Sequence, residues 1–435
     1  MLPDYISKAV PNPSAKRAPW YVNTAPAYAG IFLWIGFYQS IAEGTVTRAT
    51  AGLAVFALAV AGLLSYALYY YVPGMLGMKT GYPLYVVGSS TFGTKGGYLM
   101  PGLLMGLLQI GWFAVGVFLS TRYLLSGFGA DPTPGTLPFI LIAVVWGFVL
   151  GYIGIKGIEF VSKVSLFLNV IPFAMLLVVF FKTRPGLALH VPSDPNTFVS
   201  VTLLIQIVIG FFATAGAAGA DFGMNNRNAR DIRMGGLVGI AGAVLFAGAL
   251  PWLSVAGARA LHPNLQGAGY DAAIGSVGGF LASAMFFLFA VASIAPGSIS
   301  AFVAANSFST MMPRIPRMSS TMVGVTISIV LAVTGVAQNL IGFFSIVGAS
   351  FGPICGAMMA DYLLAGRKWA GPRRGINWAG YIAWALGFLV GILPFLPLSP
   401  EIKQNCQPAA VYSTITGFVV YAILAKAGLE PPVES

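Results

Sequence analysis

Long apolar runs without a charged residue alternate with short polar segments along the whole chain. A transmembrane helix needs about 20 mostly apolar residues, and each run is close to that length or longer. The runs cover residues 18–42, 49–78, 96–121, 132–155, 164–181, 195–220, 234–258, 272–313, 318–360, 375–400 and 404–425. This pattern predicts a series of membrane-spanning helices.

Two of these runs are too long for a single simple helix. The run 318–360 predicts two helices, separated near the polar stretch AQNLIG at 337–342. The run 272–313 predicts one helix that leaves the membrane through the polar, proline-ended stretch NSFSTMMPRIPR. The sequence therefore predicts an all-α polytopic membrane protein with twelve spans, numbered below in chain order. A composition of 57% hydrophobic and 8% charged residues excludes a water-soluble globular domain.

The positive charges are distributed unevenly between the two sides of this arrangement. Of the 23 Lys and Arg residues, 17 fall on the side of both termini and six on the other side. Cytoplasmic loops carry the excess of Lys and Arg, so both termini are predicted to be cytoplasmic, with residues 1–20 and 428–435 as tails. The net charge of +11 is thus a topology signal in a cell-membrane protein, and we expect no nucleic-acid partner.

Helix-weakening residues concentrate in the first and sixth spans. The stretch 23–44 contains Pro26, Gly30 and Gly36, and the stretch 205–223 contains three glycines among Ala and Thr. Unwound backbone within a membrane persists only where it is buried or lines a cavity. The placement predicts an inverted repeat of five plus five helices, about 21–182 and 196–365, with two extra helices at 375–427. The alternative is that the glycines only allow close helix packing.

Five stretches together resemble the nucleobase:cation symporter-1 (purine-cytosine permease) family, in its cytosine permease branch. They are KTGYPLYVVGSSTFGTKG (79–96), LQIGWFAVG (108–116), IGFFATAGAAGADF (209–222), FFSIVGASFGPICGAMMADYLLAGRKW (343–369) and INWAGYIAWALGFLVG (376–391). The resemblance extends from about residue 15 to 427. It implies a transporter domain at 21–427 that carries nucleobases or related heterocycles together with a cation, with no organic cofactor and no resident metal.

The resemblance implies that Gln109 and Trp112 on the third span line the substrate site. The two residues are three apart and therefore close on one helix face. A planar heterocycle needs an aromatic surface for stacking and an amide that both donates and accepts hydrogen bonds. The alternatives are a hydrogen bond between helices for Gln109 and core packing for Trp112.

Three further positions complete the substrate site that the resemblance implies. Phe212 on the sixth span would form the other wall of an aromatic sandwich with Trp112, and Phe211 replaces it if the alignment is off by one residue. Ser293 on the eighth span matches a position where cytosine permeases are expected to have asparagine. Trp34 lies at the break of the first span, where a side chain can either bind or pack.

The residues expected to bind the cation are only partly present in this chain. Carbonyl groups at the break of the first span, near Ile35 and Phe37, are the expected ligands from that helix. Sodium-coupled relatives have paired hydroxyl residues on the eighth span, where this chain has Pro296 and Gly297. The nearby Ser293, Ser298 and Ser300 are candidate ligands if Pro296 and Gly297 locally unwind the helix, and the sequence leaves Na⁺ and H⁺ both open.

A proton-coupled transporter needs an ionisable group in or near its spans. The candidates are Glu43, Asp221, Asp361 and Glu159. Each also has a structural interpretation: Glu43 as a solvated interface residue, Asp221 as a partner of the arginines at 225–233, and Asp361 as a partner of a nearby Arg or Lys.

The sequence therefore predicts a secondary active transporter that imports cytosine by alternating access, with spans 1, 2, 6 and 7 rocking against spans 3, 4, 8 and 9. Other candidate substrates are purines, hydroxymethylpyrimidine, uracil, allantoin and hydantoin. An intramembrane enzyme, a passive channel and a non-transporting sensor are remote alternatives, because the chain has no HExxH motif and no filter repeat. A lipid bilayer, a small heterocycle and a cation are the expected partners, and a monomer is expected to suffice.

Overall fold

The structure is a computed structural model, and it describes residues 2–156 and 170–434. Helices and turns make up this part of the chain, with only isolated β-bridges. Ten helices in it are long and apolar enough to cross a membrane: Ala51–Thr80, Gly96–Gly127, Leu137–Ile155, Val170–Leu189, Thr197–Ala217, Ala229–Leu261, Gly279–Met311, Leu340–Leu364, Trp378–Phe395 and Ala409–Lys426. They correspond to spans 2 to 8 and 10 to 12.

The two remaining predicted spans are present as shorter helices. Span 1 consists of Thr24–Phe32 and Ile35–Tyr38, and span 9 is Arg317–Val333, an apolar helix of 17 residues. The separation of spans 9 and 10 is confirmed, because a short 3₁₀ turn, Val336–Gln338, lies between them. Ten spans therefore meet the length and composition of a membrane-crossing helix. The predicted total of twelve requires that spans 1 and 9 cross the membrane as well.

The predicted interruptions of spans 1 and 6 are both present. In span 1 the helix ends at Leu33, and Trp34 has extended backbone angles, φ −94° and ψ 139°. A side chain at Gly36 would lie 3.0 Å from the Trp34 ring, so the absence of one leaves room for the indole at the break. In span 6 the interruption is at Ala218, between Thr197–Ala217 and Gly219–Gly223. Each break is in the first span of a predicted set of five.

Span 8 is interrupted as well, at Ser293, between the helices Gly279–Ala292 and Ile294–Met311. The expected site of local unwinding in this span is Pro296 and Gly297. The break occurs earlier because a proline has no N–H to donate to the carbonyl four residues before it, which here belongs to Ala292. A short helix, Tyr270–Val277, precedes this span.

The two terminal segments pack against two loops that are hydrogen-bonded to each other. The Tyr5 hydroxyl donates to the carbonyl of Thr94 at 2.8 Å, and the Glu434 N–H donates to the carbonyl of Pro372 at 2.7 Å. These loops are themselves joined, since the Thr94 N–H donates to the carbonyl of Arg373. The termini therefore lie on one face of the molecule, which requires an even number of membrane crossings between them.

Asp361, at the end of span 10, belongs to a buried polar network on this face. Its carboxylate lies 2.8 Å from the Arg373 guanidinium and accepts hydrogen bonds from Ser90 and Thr91 at 2.5 and 3.0 Å. The same guanidinium lies 2.9 Å from Glu430. The structural interpretation of Asp361 is confirmed, because its charge is paired.

Candidate functional site

Trp112 lies in the middle of span 3 and is enclosed by aromatic rings from three other spans. The ring centroids of Trp34 and Phe211 are 5.6 and 5.2 Å from its own, and those of Phe343 and Phe344 on span 10 are at 4.9 and 5.4 Å. We call these five residues the aromatic cluster. Their flat surfaces are the kind of environment that binds a planar ring by offset stacking.

The indole N–H of Trp112 donates to the Thr214 hydroxyl of span 6 at 3.1 Å. This hydrogen bond fixes the ring plane, because the donor is on one edge of the indole. Thr214 lies one turn before the break at Ala218. Trp112 is thus held against an interrupted helix, as a residue that positions substrate should be.

Of the two candidate phenylalanines on span 6, Phe211 is the one beside Trp112. Phe212 instead stacks on Phe32, with centroids 5.4 Å apart and an angle of 18° between the planes, and also contacts Tyr28. Neighbouring residues of a helix project about 100° apart, so both cannot face Trp112. Phe211, the alternative register, is therefore the ring in contact with Trp112, and the role of Phe212 or Phe211 as the second wall of the substrate site stays a prediction.

A crevice lies where spans 1 and 8 are interrupted. Its walls are formed by Gly30, Leu33, Trp34, Ile35, Tyr38, Pro172, Phe289, Ala292, Ser293 and Pro296. The crevice encloses about 10 Å³ of space, roughly enough for one water molecule and far below the roughly 300–1,000 Å³ typical of ligand sites. Side chains must therefore move before a heterocycle can be enclosed here.

Two polar groups of this crevice have hydrogen-bonding capacity to spare. Ser293 is fully buried, and its hydroxyl donates to the carbonyl of Phe289 at 3.0 Å, which leaves the oxygen free to accept. The buried indole N–H of Trp34 has no hydrogen-bond partner. An unpaired buried donor costs about 1–3 kcal/mol, so it calls for an acceptor that arrives with a ligand or in another conformation.

Gln109 lies about one turn from Trp112 but lines a different crevice. That crevice is bounded by spans 3, 8 and 9, with Phe113, Phe308 and Ser320 among its walls. The half-buried amide has a weak contact to the Met105 sulfur at 3.8 Å. Its donors and acceptor therefore remain available, although the structure does not bring it into contact with the aromatic cluster. Its role at the substrate stays a prediction.

The candidate cation ligands are mostly engaged within the protein. The carbonyl of Ile35 accepts the N–H of Gln39 at 3.0 Å, and Phe37 contributes its ring to the packing around Phe211. The Ser298 hydroxyl donates to the carbonyl of Leu150 at 3.3 Å, toward span 4.

The Ser300 hydroxyl instead donates back to the carbonyl of Pro296 in its own span. The two serines therefore do not form the pair of adjacent hydroxyls that a hard cation favours. Within the described residues there is also no group of three or more His, Cys, Asp or Glu that could hold a metal ion.

The remaining proton-carrier candidates are separated from the crevices. The Asp221 carboxylate accepts a hydrogen bond from the backbone N–H of Leu84 at 3.3 Å, so the expected pairing with an arginine is wrong. The arginine of that loop that forms an ion pair, Arg227, bonds Asp231 instead. Glu43 is half-buried just after span 1. Glu159 lies outside the described residues.

Some residues at these sites were missed by the sequence reasoning. Phe343 and Phe344 belong to a stretch that carries the family resemblance. They are two adjacent aromatic residues, which is the same sequence signal that marks Phe211 and Phe212. Thr214 is one of several small residues in a glycine-rich stretch, so the sequence does not distinguish it from its neighbours. Each is identified here by its contact with Trp112.

A polar hub near the other end of span 1 was also missed. The Gln39 side chain accepts a hydrogen bond from the Tyr123 hydroxyl and donates one to Asp271, both at 2.8 Å. Asp271 in turn forms an ion pair with Arg122 at 2.6 Å. The sequence signal for this hub is Gln39, the one glutamine in the apolar run 18–42.

Interrupted helices that meet at a buried aromatic cluster within a multi-span bundle are typical of secondary transporters. A family model described as permease for cytosine/purines, uracil, thiamine, allantoin matches residues 10–419. The chain belongs to this family. Cytosine permease of Escherichia coli strain K12 is 27% identical over 373 residues, which cover 78% of this chain and 82% of that protein.

Solved transporter structures share the fold. An inward-facing conformation of Mhp1 superposes with a TM-score of 0.76 and 16% identity, covering 98% of this chain and 95% of that one. Mhp1, a nucleobase-cation-symport-1 family transporter, in a closed conformation with bromovinylhydantoin bound gives 0.71 and 17%, covering 98% and 96%. A Na⁺-coupled sialic acid symporter gives 0.59 and 13%, covering 97% and 92%.

Proposed function

We propose that this permease imports cytosine, or a closely related nucleobase or heterocycle, by cation-coupled alternating access. The observation that carries the proposal is the position of Trp112, whose ring is enclosed at the place where interrupted spans 1 and 6 meet span 3. The cytosine permease of Escherichia coli supports cytosine as the leading substrate. Purines, hydroxymethylpyrimidine, uracil, allantoin and hydantoin follow it.

In this proposal the substrate ring stacks on the face of Trp112, with the nearly perpendicular Phe211 ring beside it, and its polar edge meets groups of the two crevices. The unpaired N–H of Trp34 supplies a donor, and the Ser293 hydroxyl and the Gln109 amide supply further donors and acceptors. The Ser293 hydroxyl can make fewer hydrogen bonds than the amide of an asparagine. A substrate other than cytosine is therefore expected to differ from cytosine in the part that faces Ser293.

The coupling ion, Na⁺ or H⁺, drives the cycle by binding more tightly to the outward state that also binds substrate. A ligand shifts a conformational equilibrium only by its difference in affinity for the two states. Pro296 and Gly297, where relatives are expected to have hydroxyls, and the divergent directions of Ser298 and Ser300 support H⁺ at least as well as Na⁺. We place both termini on the cytoplasmic side of a cell membrane, because the loops on that side carry the excess of Lys and Arg.

Binding of radiolabelled cytosine to the purified protein tests the substrate assignment. Unlabelled cytosine, uracil, adenine, hydroxymethylpyrimidine, allantoin and hydantoin are used as competitors. The proposal expects saturable cytosine binding that the panel displaces in a definite order. Absence of binding by every compound in both sodium and low-pH buffers would contradict it, whereas a different leading competitor would revise only the substrate.

A further inference from the structure

Phe344 of span 10 occupies one face of the Trp112 ring. The two planes are 30° apart with centroids 5.4 Å apart, which is a stacked arrangement. The other rings of the aromatic cluster meet Trp112 at steeper angles, 57° for Trp34, 81° for Phe211 and 79° for Phe343. Among the rings that contact Trp112 in the described structure, Phe344 is therefore the one placed as a stacked ligand ring would be.

The position of Phe344 is fixed by close backbone packing. A side chain added at Gly210 of span 6 would overlap the backbone of Phe344, and one added at Gly111 of span 3 would overlap the Phe343 ring. Phe344 itself is fully buried. Because interiors are close-packed, its ring cannot shift aside in small steps, and removing it from Trp112 requires span 10 to move or the side chain to change rotamer.

A planar substrate and Phe344 therefore compete for the same surface. Atoms in contact are about 3.5–4.0 Å apart, so a second ring cannot enter between two rings that are already stacked. The crevice beside Trp34 is likewise too small for an enclosed heterocycle as it stands. A substrate can therefore stack on the face of Trp112 that Phe344 covers only after the Phe344 ring is displaced.

We propose that Phe344 fills the stacking position of the substrate while the site is empty, and that a planar heterocycle binds by displacing it. This inference rests on the proposed function, because it assumes that Trp112 stacks on the substrate. Phe344 is then a specificity-determining residue: a ligand gains from stacking on Trp112 only the difference between its own stacking and that of the phenylalanine ring. Flat, fully conjugated heterocycles are favoured over puckered rings of similar size.

The test compares the full-length Phe344→Leu protein with wild type. Stacked aromatic pairs contribute about 0.5–1.5 kcal/mol, so removing the competing ring is expected to lower the Kd of radiolabelled cytosine by roughly 2- to 10-fold. Competition by dihydrouracil, a puckered analogue of uracil, is expected to improve more than competition by uracil. Phe344→Tyr keeps a ring and is expected to resemble wild type.

Two controls separate competition from loss of packing. Phe351→Leu removes an equally buried ring from the same span, and Phe343→Leu removes the ring that meets Trp112 edge-on. Neither is expected to tighten binding. If Phe344→Leu does not fold, Phe344→Met, which retains most of the volume without a ring, takes its place.

Unchanged or weaker cytosine binding in a folded Phe344→Leu protein, with wild type binding normally, would overturn the inference and leave the proposed function intact. If wild type binds none of the heterocycles, the proposed function itself has failed. The two failures are therefore distinguishable in one set of measurements.

Discussion

Substitution of Trp112 tests whether its flat surface or its N–H matters more. Trp112→Phe keeps a ring but removes the hydrogen bond to Thr214. A hydrogen bond contributes about 1 kcal/mol net, so this variant should lose at most about 5-fold in kcat/KM for cytosine uptake. The contacts with Phe211 and Phe344 are largely retained by the smaller ring.

Trp112→Ala should be far more damaging. Stacking of a base on an aromatic side chain contributes about 1–3 kcal/mol, so the loss in substrate affinity has an upper bound of roughly 5- to 150-fold, which competition by Phe344 for the same ring lowers. A buried Trp→Ala change also costs about 3–5 kcal/mol of stability, so uptake must be normalised to folded protein in the membrane. The expected order of kcat/KM is wild type, then Trp112→Phe, then Trp112→Ala.

Thr214→Val supplies the matched control, because it removes the acceptor and leaves the indole in place. If the hydrogen bond acts only by orienting the ring, Thr214→Val and Trp112→Phe should lose similar activity, and the double variant should be no worse than either. Uptake in proteoliposomes gives KM and kcat for wild type and all four variants. Equal loss in Trp112→Phe and Trp112→Ala would refute the stacking role of Trp112.

Three further predictions concern the rest of the molecule. Gln109→Ala should abolish cytosine uptake without loss of folded protein, because its amide has only a weak contact to the Met105 sulfur and is expected to pair with the substrate edge. Arg373→Met should lower the free energy of unfolding by about 3–5 kcal/mol, because it leaves the buried Asp361 carboxylate uncompensated, and a thermal melt with KM measured alongside should show loss of stability at unchanged KM. Ser298→Ala and Ser300→Ala should leave uptake driven by a proton gradient within about twofold, if H⁺ is the coupling ion.

Each of these predictions has its own contradicting result. Normal uptake by Gln109→Ala would remove that residue from the site and leave the crevice beside Trp34 as the only candidate. A thermal midpoint for Arg373→Met equal to that of the exposed-pair control Lys8→Met would show that the buried network is not stabilising. Loss of sodium dependence in either serine variant would establish a sodium site on span 8.

The sequence predicted the helical bundle well because membrane spans are read from long uncharged runs, a signal that needs no tertiary information. The breaks in spans 1 and 6 followed from glycine and proline in otherwise continuous runs, and both are present. The break at Ser293 was not placed, because the effect of Pro296 falls one turn upstream, on the carbonyl that the proline cannot satisfy.

The site was only partly predictable, because side-chain direction depends on how the helices pack. Adjacent phenylalanines on span 6 look equivalent in sequence, and only the packing shows that Phe211 faces Trp112 while Phe212 faces Phe32. The spacing of Gln109 and Trp112 suggested a shared surface, but residues three apart on a helix still differ by about 60° in direction. That angle is enough to direct Gln109 into the crevice between spans 3, 8 and 9 while Trp112 faces the aromatic cluster.

The most direct test of the central claim is uptake of radiolabelled cytosine into proteoliposomes containing the wild-type protein. One arm has an inward sodium gradient and the other an inward proton gradient, with protein-free liposomes as the baseline. The account predicts accumulation above equilibrium in one arm, collapsed by the matching ionophore. Equilibration without accumulation in either arm, or no uptake of any tested heterocycle, would contradict secondary active transport of a nucleobase.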